Sequence, residues 1–200
     1  MLNAAIWIIA IGGVSALRGN ARGPRSGQGL GAALVLGLTV MAGPALADCA
    51  DPPASGVDWR KCILTQRDFS GVDLSKAKLK DSRFTRSDFS GADLTGADLR
   101  RAKFIDGKLA GARLDAARMA GADFTKADLS GASLRGAKMA RTQMQRANLR
   151  GADLTDAELF DTDMLDADLS GATWVDGKTT CAEGSISFCR RTAATGSGSG

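Results

Sequence analysis

From Leu64 to Trp174 every fifth residue is Leu, Phe, Met or Trp, 23 positions without a polar exception. Two residues before each of these centres the chain is small. Ala fills 15 of the 22 such places from Phe69 onward, and Ser82, Ser87, Gly107, Thr142 and Thr162 are small as well. Arg67 and Val72 depart from the rule at the start. A period of five suits neither regular element: on an α-helix successive centres lie about 140° apart, and on a flat strand an odd step throws them to alternate faces. Every centre stays inside only if the chain turns a corner once per unit and winds about an axis, stacking on itself as a solenoid. The large centre then fills the interior and the small residue shares it.

Stacked coils pair like with like, which counts the sides of the coil. A spacing of 20 pairs Phe69 with Phe89, Phe84 with Phe104, Phe104 with Phe124, Met119 with Met139 and Met144 with Met164, whereas a spacing of 15 gives two such pairs. Four units per coil are therefore expected. The segments "GADLTGADLR", "KADLSGASL" and "RANLRGADLT" give the chain a resemblance to the pentapeptide-repeat family, whose loose consensus is A(D/N)LXX. The resemblance spans residues 62–176 and implies an all-β fold, a right-handed quadrilateral β-helix. The number of centres predicts five to six coils, roughly 27 Å of rod at about 4.8 Å per layer.

The first 47 residues read differently. Arg18, Arg22 and Arg25 precede the apolar run "LGAALVLGLTVMAG" at 30–43, and "ALA" follows at 45–47. A basic region, an apolar region too short to span a bilayer and an Ala-x-Ala site predict a secretory signal cleaved after Ala47. Asp48 before Cys49 argues against a lipoprotein, and the separated Arg22 and Arg25 argue against twin-arginine export. The further apolar stretch at 4–17 is read as an upstream extension, with translation starting near Val14 or Leu17; the alternative is an N-terminal membrane anchor. The expected organisation is thus 1–47 extension and signal peptide, 48–61 N-terminal cap, 62–176 repeat β-helix, 177–191 C-terminal cap and 192–200 disordered tail. The protein is expected in the periplasm or outside the cell, with no membrane association after cleavage.

Four cysteines flank the repeat: Cys49 and Cys62 before it, Cys181 and Cys189 after it. A disulfide needs Cα atoms within about 7 Å, so bridges between ends separated by most of the rod fail. Cys49–Cys62 and Cys181–Cys189 remain, in the oxidising compartment that export supplies. A metal site needs four ligands together, and the chain has no His. The two bridged segments are expected to cover the end coils, Trp59 on one side and Trp174 with Phe188 on the other.

With no His and no Tyr, and with the cysteines committed, general base chemistry falls to carboxylates. Asp93, Asp98, Asp123, Asp128 and Asp153 occupy the repeat's Asp position and read as a solvated outer row tied to local backbone. Glycines such as Gly91, Gly96 and Gly111 fall at corners and read as turn residues, not a phosphate loop. No enzyme activity, catalytic residue, metal or cofactor is expected. The best-known members of the family resembled are acidic DNA mimics that protect DNA gyrase; this chain departs from them. Removing the three signal arginines leaves 23 basic residues against 22 acidic ones.

That charge is uneven. Arg60 to Arg150 holds 20 basic and 10 acidic residues, whereas Gly151 to Asp176 holds eight acidic residues and none basic. Four units per coil also collect Lys78, Lys80, Arg100, Arg101, Arg118, Lys138 and Arg141 on one side, opposed there by Asp81 and Asp98. Such a strip suits an anionic envelope polymer, and without aromatic residues for stacking it does not suit nucleic acid. The expected function is a rigid, non-enzymatic protein-interaction scaffold with an unknown protein partner; the alternative is a binder of anionic polymers through the strip.

Overall fold

The computed structural model describes residues 49–191. The expected extension, signal and cleavage site in 1–47 lie outside the described residues, as does the tail at 192–200. Among the described residues no helix is long and apolar enough to cross a membrane.

The five-residue unit builds one side of a coil. The residue before each centre forms a parallel bridge to the residue 20 positions on, in an unbroken series from Asp58↔Lys78 to Asp153↔Thr173. Four five-residue units therefore make one coil. Each side contributes one bridged residue and then turns, so the ladder is made of short pairings. The unit around Leu94 is typical: Leu94 N donates to Arg113 O at 2.7 Å, Gly96 N to Asp115 O at 2.8 Å, and Asp93 N to Val72 O in the coil below at 3.0 Å. The corner is closed by Ala97 N donating to Leu94 O at 3.0 Å.

Each corner places its second turn residue in the left-handed region. From Gly56 to Gly171 every fifth residue has φ between 53° and 72°, the conformation that the third residue of a type II turn requires. Glycine suits it, yet Arg86, Ala116 and Asp156 adopt it too. The left-handed conformation costs an L-residue roughly 1–2 kcal/mol. At Gly111 an added Cβ meets nothing within 4 Å, so no neighbour adds to that cost. The ladder supplies what holds non-glycine residues there.

The centres fill the bore. Phe84, Phe104 and Phe124 are fully buried and stack one above another, with centroids 5.0 and 4.9 Å apart and interplanar angles of 24° and 1°. Ala at the small position lets the large centres meet across the coil. Where Ser or Thr replaces it, the hydroxyl donates to a carbonyl in the coil below: Ser87 to Leu64 O at 2.8 Å, Thr142 to Met119 O at 3.0 Å, and Ser82 to Trp59 O. A buried hydroxyl satisfied in this way avoids the roughly 1–3 kcal/mol cost of an orphaned group. Arg67, the charged exception at this position, is exposed.

The ends differ from the sequence expectation in two ways. At the start the ladder begins at Asp58, inside the segment assigned to the N-terminal cap, and Trp59 is a buried centre in register. Its indole lies 5.3 Å from Phe69 and its Nε1 donates to Asp51 O at 3.2 Å. At the far end the Asp176 carboxylate accepts from Lys178 N, Thr179 N and the Thr179 hydroxyl, reversing the chain. The returning segment pairs antiparallel, Thr173↔Thr180 and Asp168↔Ile186, over two of the four sides. Phe188 was expected to cover the last coil; it is 62% exposed, because the returning chain passes beside that coil's open sides and leaves them uncovered. The cysteines pair as Cys49–Cys62 and Cys181–Cys189, with Cα atoms 5.6 and 5.0 Å apart.

Candidate interaction surface

With the interior filled by side chains, chemistry is left to the outer rows. Where an aspartate precedes the centre it accepts the N–H two residues on, as in Asp73 from Ser75 at 2.9 Å, Asp93 from Thr95 at 2.9 Å and Asp128 from Ser130 at 3.0 Å. Hydrogen bonds from Ser75, side chain before backbone, hold Asp73 below the usual carboxylate range, and those from Ser90 do the same for Asp88. Among the described residues no three carboxylate or cysteine groups converge as a cation cage.

The seven cations of the predicted strip do lie on one side of the coil. Bridges run Asp58, Lys78, Asp98, Arg118, Lys138, Glu158 up a single column. Lys80 and Arg100 stand in the next column and Arg101 and Arg141 in the one after it, each pair 20 or 40 residues apart. Four of the seven are ion-paired. Lys78 reaches Asp58 at 3.8 Å, Arg100 Asp98 at 2.6 Å, Arg101 Asp81 at 2.6 Å and Lys138 Glu158 at 3.8 Å. Burial pushes the Asp98 carboxyl up, but the side-chain and backbone donors of Arg100 outweigh it and leave it below its ordinary value. Among the described residues Lys80, Arg118 and Arg141 make no ion pair, and Arg118 bridges directly beside Lys138. Asp58 and Glu158 close the column at its two ends, a neutralisation that counting charges only within the span misses.

Pairing also absorbs part of the acidic end. Asp153 takes Arg135 at 2.8 Å, Asp166 takes Arg146 at 3.6 Å, and Asp168 takes Arg150 at 3.2 Å. The acidic last coil thus sits on basic residues of the coil below. Exposed pairs like these contribute about 0–1 kcal/mol each, and their main effect is to order the surface. Sequence reasoning did not find the apolar end of the rod. Phe160 is 76% and Leu165 60% exposed, and Leu165 lines a groove of about 500 Å³ together with Leu159, Met164, Trp174 and Phe188. The signal was present: both exposed residues follow centres, where most units carry a polar or small residue.

The profile described as pentapeptide repeats matches in eight copies over residues 68–104, 108–139 and 137–173, together about half of the chain. No curated protein matches it. Among solved structures the chain is similar to the pentapeptide-repeat protein Rfr23 of the cyanobacterium Cyanothece 51142, at 25% identity over 60% of this chain and 89% of that one, with a TM-score of 0.45. It is also similar to a pentapeptide-repeat protein of the Arabidopsis thaliana thylakoid lumen, at 29% identity over 57% and 69%, with a TM-score of 0.33. QnrB1, a plasmid-mediated fluoroquinolone resistance protein, matches at 19% identity over 62% and 78%, with a TM-score of 0.31. Proteins built from such repeats form right-handed quadrilateral β-helices. The five-residue period, the 20-residue ladder and the matched profile make this chain a member of the pentapeptide-repeat family.

Proposed function

We propose that this protein is exported to the periplasm or beyond the cell and works there as a rigid, non-enzymatic scaffold for another protein. It does so as a rod of five to six coils pinned at each end by a disulfide. The observation that supports this most is the order of the outer surface. Charged side chains are held in columns by the ladder and tied across coils by ion pairs such as Arg101–Asp81 and Arg113–Asp93. A surface ordered before binding loses little side-chain entropy on contact. Pentapeptide-repeat proteins are in general structural or interaction proteins, in keeping with this reading. Purified protein used as bait in a periplasmic extract should retain a specific protein; retention of lipopolysaccharide or polysaccharide alone refutes it.

A second reading is favoured by Lys80, Arg118 and Arg141, which lie on one side without an ion pair among the described residues. It makes that strip a weak site for an anionic envelope polymer, bound through several screened contacts. Binding to lipopolysaccharide should then fall with salt and in Arg100→Glu/Arg101→Glu/Lys138→Glu. No binding at low salt, or none lost in the variant, removes this reading.

A further inference from the structure

The last coil ends with its ladder half built. On the sides centred on Leu159 and Met164 the chain that would continue upward has left: the reversal at Asp176 carries it over the other two sides. Among the described residues, the N–H groups of Leu159, Asp161 and Met164 and the carbonyls of Ala157 and Thr162 have no partner. The equivalent groups one coil earlier all do: Met139 N donates to Glu158 O, Arg141 N to Phe160 O, Met144 N to Asp163 O, and Ala137 O and Thr142 O accept from Glu158 N and Asp163 N. Unpaired donors and acceptors in this register are a template for an added strand.

The same two sides carry the exposed apolar surface and unneutralised acid. Phe160 and Leu165 stand open at the corners, and Leu159, Met164, Trp174 and Phe188 line the groove above. Among the described residues Asp156 and Asp161 make no ion pair, and Asp163 has only amide donors, from Leu165 N at 3.0 Å and Gln145 Nε2 at 2.7 Å. No basic residue lies between Gly151 and Asp176.

We infer that this end of the rod binds an extended, basic segment of a partner protein, which completes the coil by pairing with the free backbone on the Leu159 and Met164 sides. Its apolar residues sit over Leu159 and Met164, and its Lys or Arg residues face Asp156, Asp161 and Asp163. The ladder gives affinity, the acid gives sign, and the corner at Phe160 requires the segment to bend once, after about five residues as the repeat itself does. This inference rests on the scaffold reading and places its site.

The test uses the full chain and a labelled decapeptide, Ala-Lys-Leu-Lys-Gly repeated twice, followed by fluorescence anisotropy. Saturable binding is expected. It should weaken at least tenfold when Glu replaces Lys in the peptide, and likewise when the residue before each Leu is N-methylated, which removes the hydrogens meant for Ala157 O and Thr162 O. Phe160→Ala/Leu165→Ala and Asp161→Lys/Asp163→Lys should each lose binding while keeping the wild-type circular dichroism spectrum, since all four side chains are on the surface. No saturable binding, equal binding of the acidic or N-methylated peptide, or full binding by both variants overturns the inference. So does a wild-type dimer in light scattering that Phe160→Ala/Leu165→Ala dissociates, which assigns the face to a second copy. If that variant still captures the wild type's protein partner from extract, the scaffold stands and this site fails; if neither captures a protein, the scaffold itself fails.

Discussion

Phe104→Ala removes the middle ring of a stack of three. Phe104 is fully buried, lies 5.0 Å from Phe84 and 4.9 Å from Phe124, and meets Phe89 edge-on at 5.2 Å. Truncating a buried Phe costs about 3–5 kcal/mol, the spread reflecting how far the site collapses. Here collapse is restrained. Phe104 N is tied to Asp123 O above at 2.7 Å and Lys103 N to Ser82 O below at 2.9 Å, so the coils cannot close on the cavity without breaking the ladder. The rings also lose aromatic contacts of about 0.5–1.5 kcal/mol each. The expected loss is therefore in the upper half of the range, about 4–5 kcal/mol. For a chain of this size it lowers the melting temperature by about 10 °C or more. Urea titration followed by circular dichroism, with Arg135→Ala as a surface control expected to cost under about 1 kcal/mol, measures it. A loss near 1 kcal/mol for Phe104→Ala shows a bore that repacks freely and refutes the stacked-coil reasoning.

Four further outcomes follow from the corners, the carboxylates and the ends. Ala116→Gly, at a left-handed corner with φ 54°, should stabilise by up to about 1 kcal/mol, the relief of strain exceeding the extra unfolded-state entropy. Gly111→Val at the equivalent position should destabilise by about 1–2 kcal/mol in the same titration. The Thr179 hydroxyl, then the Thr179 and Lys178 amides, hold Asp176 down to about 2, and Asp73, Asp88 and Asp168 are also lowered. Carboxyls depressed on folding stabilise above their unfolded value of about 3.9 and lose that contribution as pH falls through the folded values. The urea midpoint should thus be flat from pH 7 to 5 and fall between pH 4 and 2, and a midpoint unchanged at pH 3 contradicts it. Mass spectrometry of exported protein should show cleavage after Ala47, no free thiol, and separate Cys49–Cys62 and Cys181–Cys189 peptides; a chain beginning at Met1 in the membrane fraction contradicts export.

The coil was legible in the sequence because one geometric fact, a turn after every centre, repeats without a slip. The 20-residue pairing of Phe and Met centres carried the register, and the bridges follow it. The ends were less legible, since there the pattern no longer has a neighbour on both sides. Trp59 continues the five-step upstream of Leu64, but its role as a centre shows only once Asp58 is seen bridging Lys78. Phe188 directly precedes Cys189 in a short disulfide-closed loop, and nothing in the residues tells whether it folds over the coil or away. Stepping in twenties put the cations of the strip in columns that the bridges follow, yet their neutralisation was missed because the steps stopped at Lys78 and Lys138; one more in each direction reaches Asp58 and Glu158. The open backbone beside Leu159 and Met164 has no residue signature at all, being set by where the chain reverses.

The central claim, that an exported rod works by holding another protein, is tested most directly by crosslinking in living cells. A tagged full-length chain is crosslinked in place and its adducts are fractionated by compartment and identified by mass spectrometry. The account predicts one discrete protein adduct in the periplasmic or secreted fraction, kept by Arg100→Glu/Arg101→Glu/Lys138→Glu and lost in Phe160→Ala/Leu165→Ala. A chain found only in the cytoplasm, or one crosslinked to envelope polysaccharide and to no protein, contradicts it.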